Sequence, residues 1–154
     1  MKQNSGRSYV MPKAATILLA EDDENDVFFF RHALEKAELD PCVFHVADGQ
    51  EAVNYLGGKG PYSDRKKYPL PNLILLDLKM PRLNGFEVLQ WVRTRERLSQ
   101  VPIVVLSSSD HERDRAEAQR LGACSYHRKP GNPADLVSLV REFCARWLKL
   151  EPAY

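Results

Sequence analysis

Acidic side chains follow two of the most apolar runs in the sequence. The run Thr16–Ala20 is followed by Glu21 and Asp22, and the run Leu73–Leu76 is followed by Asp77. Uninterrupted apolar runs are typical of strands buried on both faces of a parallel sheet, whose carboxyl ends meet at one edge. Three carboxylates gathered there repel one another unless a cation neutralises them, and oxygen ligands suit Mg²⁺. Asp77 could then attack phosphorus as a carboxylate nucleophile.

Two further polar residues follow later apolar strands. Ser107 comes directly after Pro102–Leu106, and Lys129 ends the short run Ser125–Lys129. A hydroxyl and an ammonium opposite a carboxylate nucleophile suit a phosphoryl group, because the cation offsets charge on its oxygens. Asp77 alone is equally well explained as the cap of a loop. Five side chains of the expected types at four strand ends favour phosphoryl chemistry over that explanation.

The elements that must position these residues alternate along the chain. Five apolar runs predict strands, and the segments that follow them predict five helices. This pattern favours a doubly wound α/β fold with a five-stranded parallel sheet covered on both faces. The last helix is predicted to begin with Asn132 as its N-cap and Pro133 in its first turn. The predicted strands are Thr16–Ala20, Cys42–Val46, Leu73–Leu76, Pro102–Leu106 and Ser125–Lys129.

Length and composition indicate a single domain. The chain has 154 residues, of which 44% are hydrophobic, and its formal net charge is +1. That charge balance gives no electrostatic reason to expect nucleic acid or an anionic membrane as the main partner. No apolar run approaches the roughly 18 residues of a membrane span. The three widely spaced cysteines, Cys42, Cys124 and Cys144, fit reduced, mostly buried thiols in a cytoplasmic protein.

The predicted domain spans residues 15–150. Residues 1–14 mix Gly, Ser, Lys and Pro without periodicity and are expected to form a flexible arm, and residues 151–154 form a short tail. Residues 57–71 are rich in Gly and Pro and are predicted to be a solvated loop with a basic tip. The glycines of this loop lack the spacing of a phosphate-binding loop.

Four motifs, in order along the chain, resemble those of receiver domains of two-component response regulators. They are Ala20-Glu21-Asp22-Asp23, Leu76-Asp77-Leu78-Lys79-Met80-Pro81 with Gly85 shortly after, Leu106-Ser107-Ser108, and Lys129-Pro130. The resemblance covers residues 16–148 and implies a flavodoxin-like sheet of order 2-1-3-4-5. It is strongest toward the stand-alone receivers associated with phytochromes, which carry a similar Gly- and Pro-containing insertion before the third strand.

The resemblance implies roles for the acidic residues. A sensor histidine kinase, here expected to be a phytochrome, would phosphorylate Asp77. Asp22, Asp77 and the backbone carbonyl of Lys79 would ligate Mg²⁺, and Glu21 would act through a water molecule. Two positions depart from the commonest forms. Glu21 replaces the more usual Asp, and Lys79 places a long cation where side chains affect the lifetime of the phosphoryl group.

The resemblance also implies a switch. Ser107 would move onto the phosphoryl group, Lys129 would be the ionic partner of that group, and Tyr126 would change rotamer in response. Ser108 is small, as access to the aspartate demands. A cis peptide bond is expected between Lys129 and Pro130, because the chain must turn sharply there while the lysine points into the crevice.

A small phosphotransferase or phosphatase that uses an aspartyl intermediate on external substrates is the alternative function. Haloacid-dehalogenase-type enzymes carry a second Asp two residues after the nucleophile, where this chain has Lys79, and the sequence shows no cap domain. A receiver-shaped scaffold without phosphorylation is disfavoured, because the acids, Ser107 and Lys129 are all present. We therefore expect a phosphorylation switch that catalyses only its own phosphorylation and dephosphorylation.

Two helices are predicted to carry the signal out of the domain. The helix Glu112–Leu121 is mostly charged and has few apolar anchors, so it is the predicted output surface. The last helix has more apolar residues than one buried stripe needs, and Phe143, Trp147 or Leu148 could protrude from it. A homodimer through this helix is therefore predicted. The alternative is a monomer whose terminal aromatic residues fold back onto the core.

The first predicted helix also carries two apolar side chains whose environment is open to two interpretations. Phe28 and Phe29 lie outside the buried stripe that its helical periodicity predicts. The simpler expectation is that both rings pack in a wide core face, and the alternative is an apolar contact patch.

Overall fold

The computed structural model describes residues 14–151, in which five parallel strands form one sheet. Neighbouring strands follow the order β2-β1-β3-β4-β5. The doubly wound five-stranded fold and its strand order, as predicted, are confirmed. Nearly all of the predicted arm and tail lies outside the described residues. The strands are β1 (Thr16–Ala20), β2 (Cys42–Val46), β3 (Leu73–Leu76), β4 (Ile103–Ser107) and β5 (Ser125–Arg128).

Five α-helices connect and flank the strands, and four of them begin at an acidic or amide N-cap. Asp23, Asp48, Asn84 and Asn132 each accept a backbone N–H of the following first turn, which satisfies donors that have no partner inside the helix. The predicted start of the last helix is thus confirmed. The helices are α1 (Glu24–Lys36), α2 (Gly49–Gly57), α3 (Gly85–Arg93), α4 (Glu112–Arg120) and α5 (Pro133–Phe143), which continues into a π-helical turn at Cys144–Leu148.

The core consists of two apolar layers on opposite faces of the sheet. Strand β3 lies at its centre and alternates between them. Leu73 and Leu75 pack with α1 and α5, whereas Ile74 and Leu76 pack with α2, α3 and α4. All four side chains are fully buried. The residue after them, Asp77, therefore starts at a fixed position on the carboxyl edge of the sheet.

The segment between α2 and β3 is a loop with exposed lysines, as predicted, but its tyrosines and Arg65 pack against the domain. The rings of Tyr62 and Tyr68 lie 5.2 Å and 6.0 Å from the ring of Tyr55. Arg65 donates hydrogen bonds of 2.7–3.0 Å to the carbonyls of Tyr55, Leu56 and Tyr68. The loop is therefore not solvated throughout, because these tyrosines cover apolar surface and Arg65 donates to the terminal carbonyls of α2.

The terminal aromatic residues fold back onto the sheet. Phe143 is buried, and the half-buried Trp147 and Leu148 pack against the layer that contains α1 and α5. The expectation that Phe143 protrudes was wrong, because this residue lies on the stripe of α5 that faces α1 and stacks on Phe30.

No helix within residues 14–151 is long and apolar enough to cross a membrane.

The exposed rings are on α1 instead. Phe28 is 63% exposed and Phe29 is 49% exposed. The expectation that they pack in the core was wrong, because the buried stripe of α1 consists of Val27, Phe30 and the residues one turn further on. Phe28 and Phe29 contact each other edge to face, with ring centroids 5.6 Å apart. They form an apolar patch on the surface.

Candidate functional site

Three carboxylates meet where β1 and β3 end. Ala20 and Leu76 are partners in the register of these adjacent strands, so the residues that follow them are neighbours in space. One carboxylate oxygen from each of Glu21, Asp22 and Asp77 lies within 4.8 Å of the others. Glu21 and Asp77 are buried and Asp22 is exposed. The structure thus brings together the three acids singled out in the sequence.

Lys129 reaches into this cluster from the end of β5. Its Nζ lies 3.1 Å from Oδ2 of Asp77, 2.8 Å from Oε1 of Glu21 and 2.7 Å from Oδ2 of Asp26. Asp26 was not predicted from the sequence motifs. It could have been found from its place in the first turn of the helix that follows β1, because that helix begins at the same edge of the sheet.

The Lys129–Pro130 bond is trans, as are the other peptide bonds within residues 14–151. The predicted cis bond was wrong. The backbone N–H of Lys129 continues the sheet by donating to the carbonyl of Ser107 at 2.7 Å, and the side chain reaches Asp77 from this position. A trans bond, which X–Pro sequences favour by about 0.5–1 kcal/mol, is therefore sufficient.

Burial and charge act in opposite directions on this cluster. Burial raises the pKa of Glu21 to about 7, with Asp77 adding to the effect and Lys129 opposing it. Burial alone would lower the pKa of Lys129, but Asp26, Glu21 and Asp77 outweigh it and hold that pKa above its ordinary value. The ammonium therefore stays charged, and the site holds more negative than positive charge.

The loop after β3 fixes the nucleophile candidate. The backbone N–H of Asp77 donates to the carbonyl of Ala20 at 3.1 Å, and the N–H of Lys79 donates to Oδ1 of Asp77 at 3.2 Å. Gly85 packs against the same turn, and a Cβ on it would lie 2.5 Å from the carbonyl oxygen of Asp77. The absence of a side chain at Gly85 lets α3 begin directly against the strand end. Metal ligation by the carbonyl of Lys79 stays a prediction.

Ser107 and Ser109 form the next part of the site, in the connection between β4 and α4. Ser107 is fully buried, and its Oγ accepts the backbone N–H of Ser109 at 3.2 Å. Ser109 in turn donates through its hydroxyl to Oδ2 of Asp114 at 2.6 Å. Ser109 was not predicted. It links the hydroxyl at the end of β4 to the first turn of α4.

Tyr126 is held inside the protein by three contacts. Its hydroxyl donates to the carbonyl of Ser109 at 2.7 Å. The guanidinium of Arg115 lies 4.6 Å from the ring centroid, and one of its nitrogens donates to the carbonyl of Tyr126 at 3.0 Å. The ring is 5% exposed. Tyr126 is therefore connected to both ends of the segment from Ser109 to Arg115.

The carboxylate cluster fits a divalent cation. Its donors are all oxygens, as Mg²⁺ prefers, and the acids carry more charge than Lys129 alone offsets. Two of the three acids are buried, which makes their mutual repulsion costly without a cation. Glu21, Asp22 and Asp77 would hold such an ion. His45, which is on β2, contacts the backbone carbonyl of Glu21 through Nε2 at 2.7 Å and is not part of this set.

A groove leads away from the cluster between α1 and α5. Its volume is about 690 Å³, and it begins at Lys129 and Asp26. Glu21 of the carboxylate cluster also lines the groove, as do Phe29, Lys36 and Arg141. Of the two exposed rings of α1, Phe29 therefore borders a depression that is continuous with the carboxylate cluster.

Comparisons with known proteins agree on one family. A family model described as the response regulator receiver domain matches residues 17–141. The response regulator Rcp1 of Synechocystis sp. is 34% identical over 133 residues, which are 86% of this chain and 88% of Rcp1. A Mn²⁺-bound crystal structure of Rcp1 superposes with a TM-score of 0.78 at 33% identity and covers 90% of this chain and 99% of that one.

Two further solved structures are similar. The phosphorylated cyanobacterial phytochrome response regulator RcpA has a TM-score of 0.81 at 34% identity, covering 88% of this chain and 95% of its own. The response regulator RPA3017, from red light signalling of R. palustris, has a TM-score of 0.83 at 32% identity, covering 87% of this chain and 94% of its own.

Proposed function

Because this chain belongs to the family of response regulator receiver domains, we propose that it accepts a phosphoryl group from a histidine kinase on Asp77. The signal then leaves through a change in its binding surface. The observation that carries the assignment of Asp77 is its position 3.1 Å from Lys129 within a cluster of three carboxylates. The comparisons give no support to a phosphatase that acts on external substrates.

The reaction is a transfer between two side chains. An oxygen of Asp77 forms a bond to phosphorus, the bond from phosphorus to the kinase histidine breaks, and its electron pair returns to the imidazole nitrogen. Lys129 offsets the negative charge that spreads over the phosphoryl oxygens. A divalent cation held by Glu21, Asp22 and Asp77 supplies further charge neutralisation when bound, and we propose Mg²⁺ for this role.

The direct test uses a small phosphodonor. Incubation with acetyl phosphate and Mg²⁺ is expected to add one phosphoryl group, about 80 Da, to the intact mass. Chelation of Mg²⁺ and the substitution Asp77→Asn should each abolish the gain. Asp40→Asn, which removes an exposed acid, is the matched control and should be phosphorylated normally. An adduct that persists in Asp77→Asn would contradict the assignment.

We further propose a phytochrome histidine kinase as the donor, since similar proteins serve phytochrome and red light signalling. The exposed Phe28 and Phe29 are suited to contact it, because Phe29 lines the groove that is continuous with the carboxylate cluster and Phe28 contacts Phe29 edge to face. Phe28→Ser should slow phosphotransfer from a labelled phytochrome kinase. It should leave phosphorylation by acetyl phosphate unchanged, which serves as the internal control. Equal slowing of both reactions would mean that the patch affects the site rather than docking.

The switch residues, the output surface, the location and the oligomeric state of the protein are also proposals. We propose that Ser107 and Tyr126 switch on phosphorylation and that α4, in which Ala118 is the buried residue, is the output surface. A cytoplasmic location fits the free thiols of Cys42, Cys124 and Cys144. The expectation that these thiols are mostly buried was wrong, because Cys42 and Cys124 are exposed. A homodimer through α5 stays a prediction, although the inward packing of Phe143 removes part of its basis. Light scattering with and without beryllofluoride tests it, and a constant monomer mass would exclude it.

A further inference from the structure

Asp26 makes the shortest of the three contacts to Lys129. Its Oδ2 lies 2.7 Å from Nζ, compared with 2.8 Å for Glu21 and 3.1 Å for Asp77. Unlike those two residues, Asp26 does not belong to the group of acids whose oxygens lie within 4.8 Å of one another. Among the three carboxylates around the ammonium, it alone is neither a candidate metal ligand nor the residue that reacts.

The other two carboxylates, Glu21 and Asp77, interact with groups other than Lys129 during the reaction. Asp77 loses negative charge on the oxygen that bonds to phosphorus, and Glu21 must also serve a cation. A contact from Lys129 to either residue therefore changes during the reaction. Asp26 has no such task and is fixed in the first turn of α1, so its contact can persist through every step.

Lys129 needs a constant contact of this kind. Its side chain is 20% exposed, and a lysine stem is flexible, with much rotational entropy to lose when it is held in one position. An ammonium released by Asp77 and Glu21 would be free to turn toward solvent. A charge-assisted hydrogen bond from outside the cluster keeps it directed at the phosphoryl oxygens.

We infer that Asp26 is a positioning residue that holds the Lys129 ammonium against Asp77 before and after phosphoryl transfer. This inference rests on the proposed function, because it assigns a role in phosphorylation of Asp77. Asp26 acts on the phosphoryl group only through Lys129.

The first experiment measures the rate of phosphorylation by acetyl phosphate at saturating Mg²⁺, followed by intact mass. Asp26→Asn is expected to slow the reaction roughly tenfold, the size expected when a hydrogen bond between two charged groups loses its negative partner. The matched control is Glu24→Gln, which removes an exposed acid from the same helical turn. It should leave the rate unchanged. A normal rate in Asp26→Asn would overturn the inference.

The second experiment asks whether Asp26 acts through Lys129. The same substitution is made in a Lys129→Ala background, in which the reaction is slower and is followed for longer. If Asp26 positions Lys129, Asp26→Asn should have no further effect there. An effect of Asp26 on the electric field of the site or on folding would change the rate by the same factor in both backgrounds, which would overturn the inference.

Lysine ammonium signals in ¹⁵N-detected NMR spectra give a readout that does not depend on the reaction rate. The signal lost in Lys129→Ala identifies Lys129. It should persist when beryllofluoride is added to the unsubstituted protein and broaden beyond detection in Asp26→Asn with beryllofluoride. A sharp signal in that variant would contradict the inference. Failure of the unsubstituted protein to gain a phosphoryl group would instead contradict the proposed function itself.

Discussion

The hydroxyl of Tyr126 donates a hydrogen bond of 2.7 Å to the backbone carbonyl of Ser109. Ser109 also donates its N–H to Oγ of Ser107, so one residue contacts both the hydroxyl beside the carboxylate cluster and the buried aromatic ring. If Ser107 moves onto a phosphoryl group, its bond to Ser109 must break. Ser109, whose carbonyl accepts the hydrogen bond of Tyr126, is then no longer held in place by Ser107.

The substitution Tyr126→Phe tests this connection. It keeps the ring and its contact with Arg115 and removes the donor to Ser109. Because a buried carbonyl loses its partner, we expect a decrease of about 1–3 kcal/mol in the free energy of unfolding. Urea denaturation measures it. Amide exchange at Ser109 and His111 should become faster in the native state, since the loop between β4 and α4 loses an anchor.

Tyr55→Phe is the matched control. Tyr55 is also buried and donates to a backbone carbonyl, that of Pro69, at 2.8 Å. It should cost similar stability without affecting exchange between β4 and α4. Faster exchange there in both variants, or in neither, would show that Tyr126 does not hold this loop.

Gly85→Ala should disturb the phosphorylation site through the backbone. The added Cβ would lie 2.5 Å from the carbonyl oxygen of Asp77 and 2.7 Å from Cα of Leu78, and neither backbone atom can move freely. Overpacking of this kind typically costs about 1–3 kcal/mol. We expect lower thermal stability and slower phosphorylation by acetyl phosphate, because α3 and the turn after Asp77 must separate.

Gly131→Ala is the control for this prediction. Gly131 stands two residues after Lys129, and a Cβ there meets no atom within 4 Å. The change in stability should stay within about 0.5 kcal/mol, with normal phosphorylation. If Gly85→Ala behaves like Gly131→Ala, the close packing of α3 against Asp77 is not needed for the reaction.

Arg65→Ala should destabilise the insertion before β3 while sparing the chemistry. Arg65 donates to the backbone carbonyls of Tyr55, Leu56 and Tyr68, so its loss removes one donor from each of them and costs roughly 2–4 kcal/mol. Urea denaturation should detect this loss, and the rate of phosphorylation by acetyl phosphate should be unchanged. Lys66→Ala, at an exposed neighbouring position, should be neutral. A neutral Arg65→Ala would mean that the insertion adds little stability.

Much of the site follows from local sequence. Uninterrupted apolar runs define β1 and β3 to the residue, and parallel pairing then forces Glu21, Asp22 and Asp77 together at one edge. Lys129 follows the same rule at the end of β5. These positions depend on strand identity and topology alone, which a short stretch of sequence reveals.

The remaining features depend on contacts between distant segments. Helical periodicity places Phe28 and Phe29 outside the buried stripe of α1, but whether another segment covers the two rings depends on tertiary packing. Composition marks the insertion as a loop, whereas the packing of Tyr62 and Tyr68 on Tyr55 depends on tertiary structure. The residue types within one segment do not indicate which distant segments it packs against.

The stability of the protein and its affinity for Mg²⁺ should both depend on pH through Glu21. Burial raises the pKa of Glu21 to about 7 from an ordinary value of 4.5. Between these two values the folded, metal-free protein holds a proton that the unfolded chain releases, so its stability should fall as pH rises through this window.

A cation requires the ionised carboxylate of Glu21 and should bind more tightly above pH 7. At 100 times the dissociation constant, Mg²⁺ stabilises by about 2.7 kcal/mol, or about 5–10 °C in Tm. At one fixed Mg²⁺ concentration the gain in Tm should therefore be larger at pH 8 than at pH 5.5. Glu21→Gln should flatten the metal-free pH dependence across the window, and identical profiles for the two proteins would exclude Glu21 as its source.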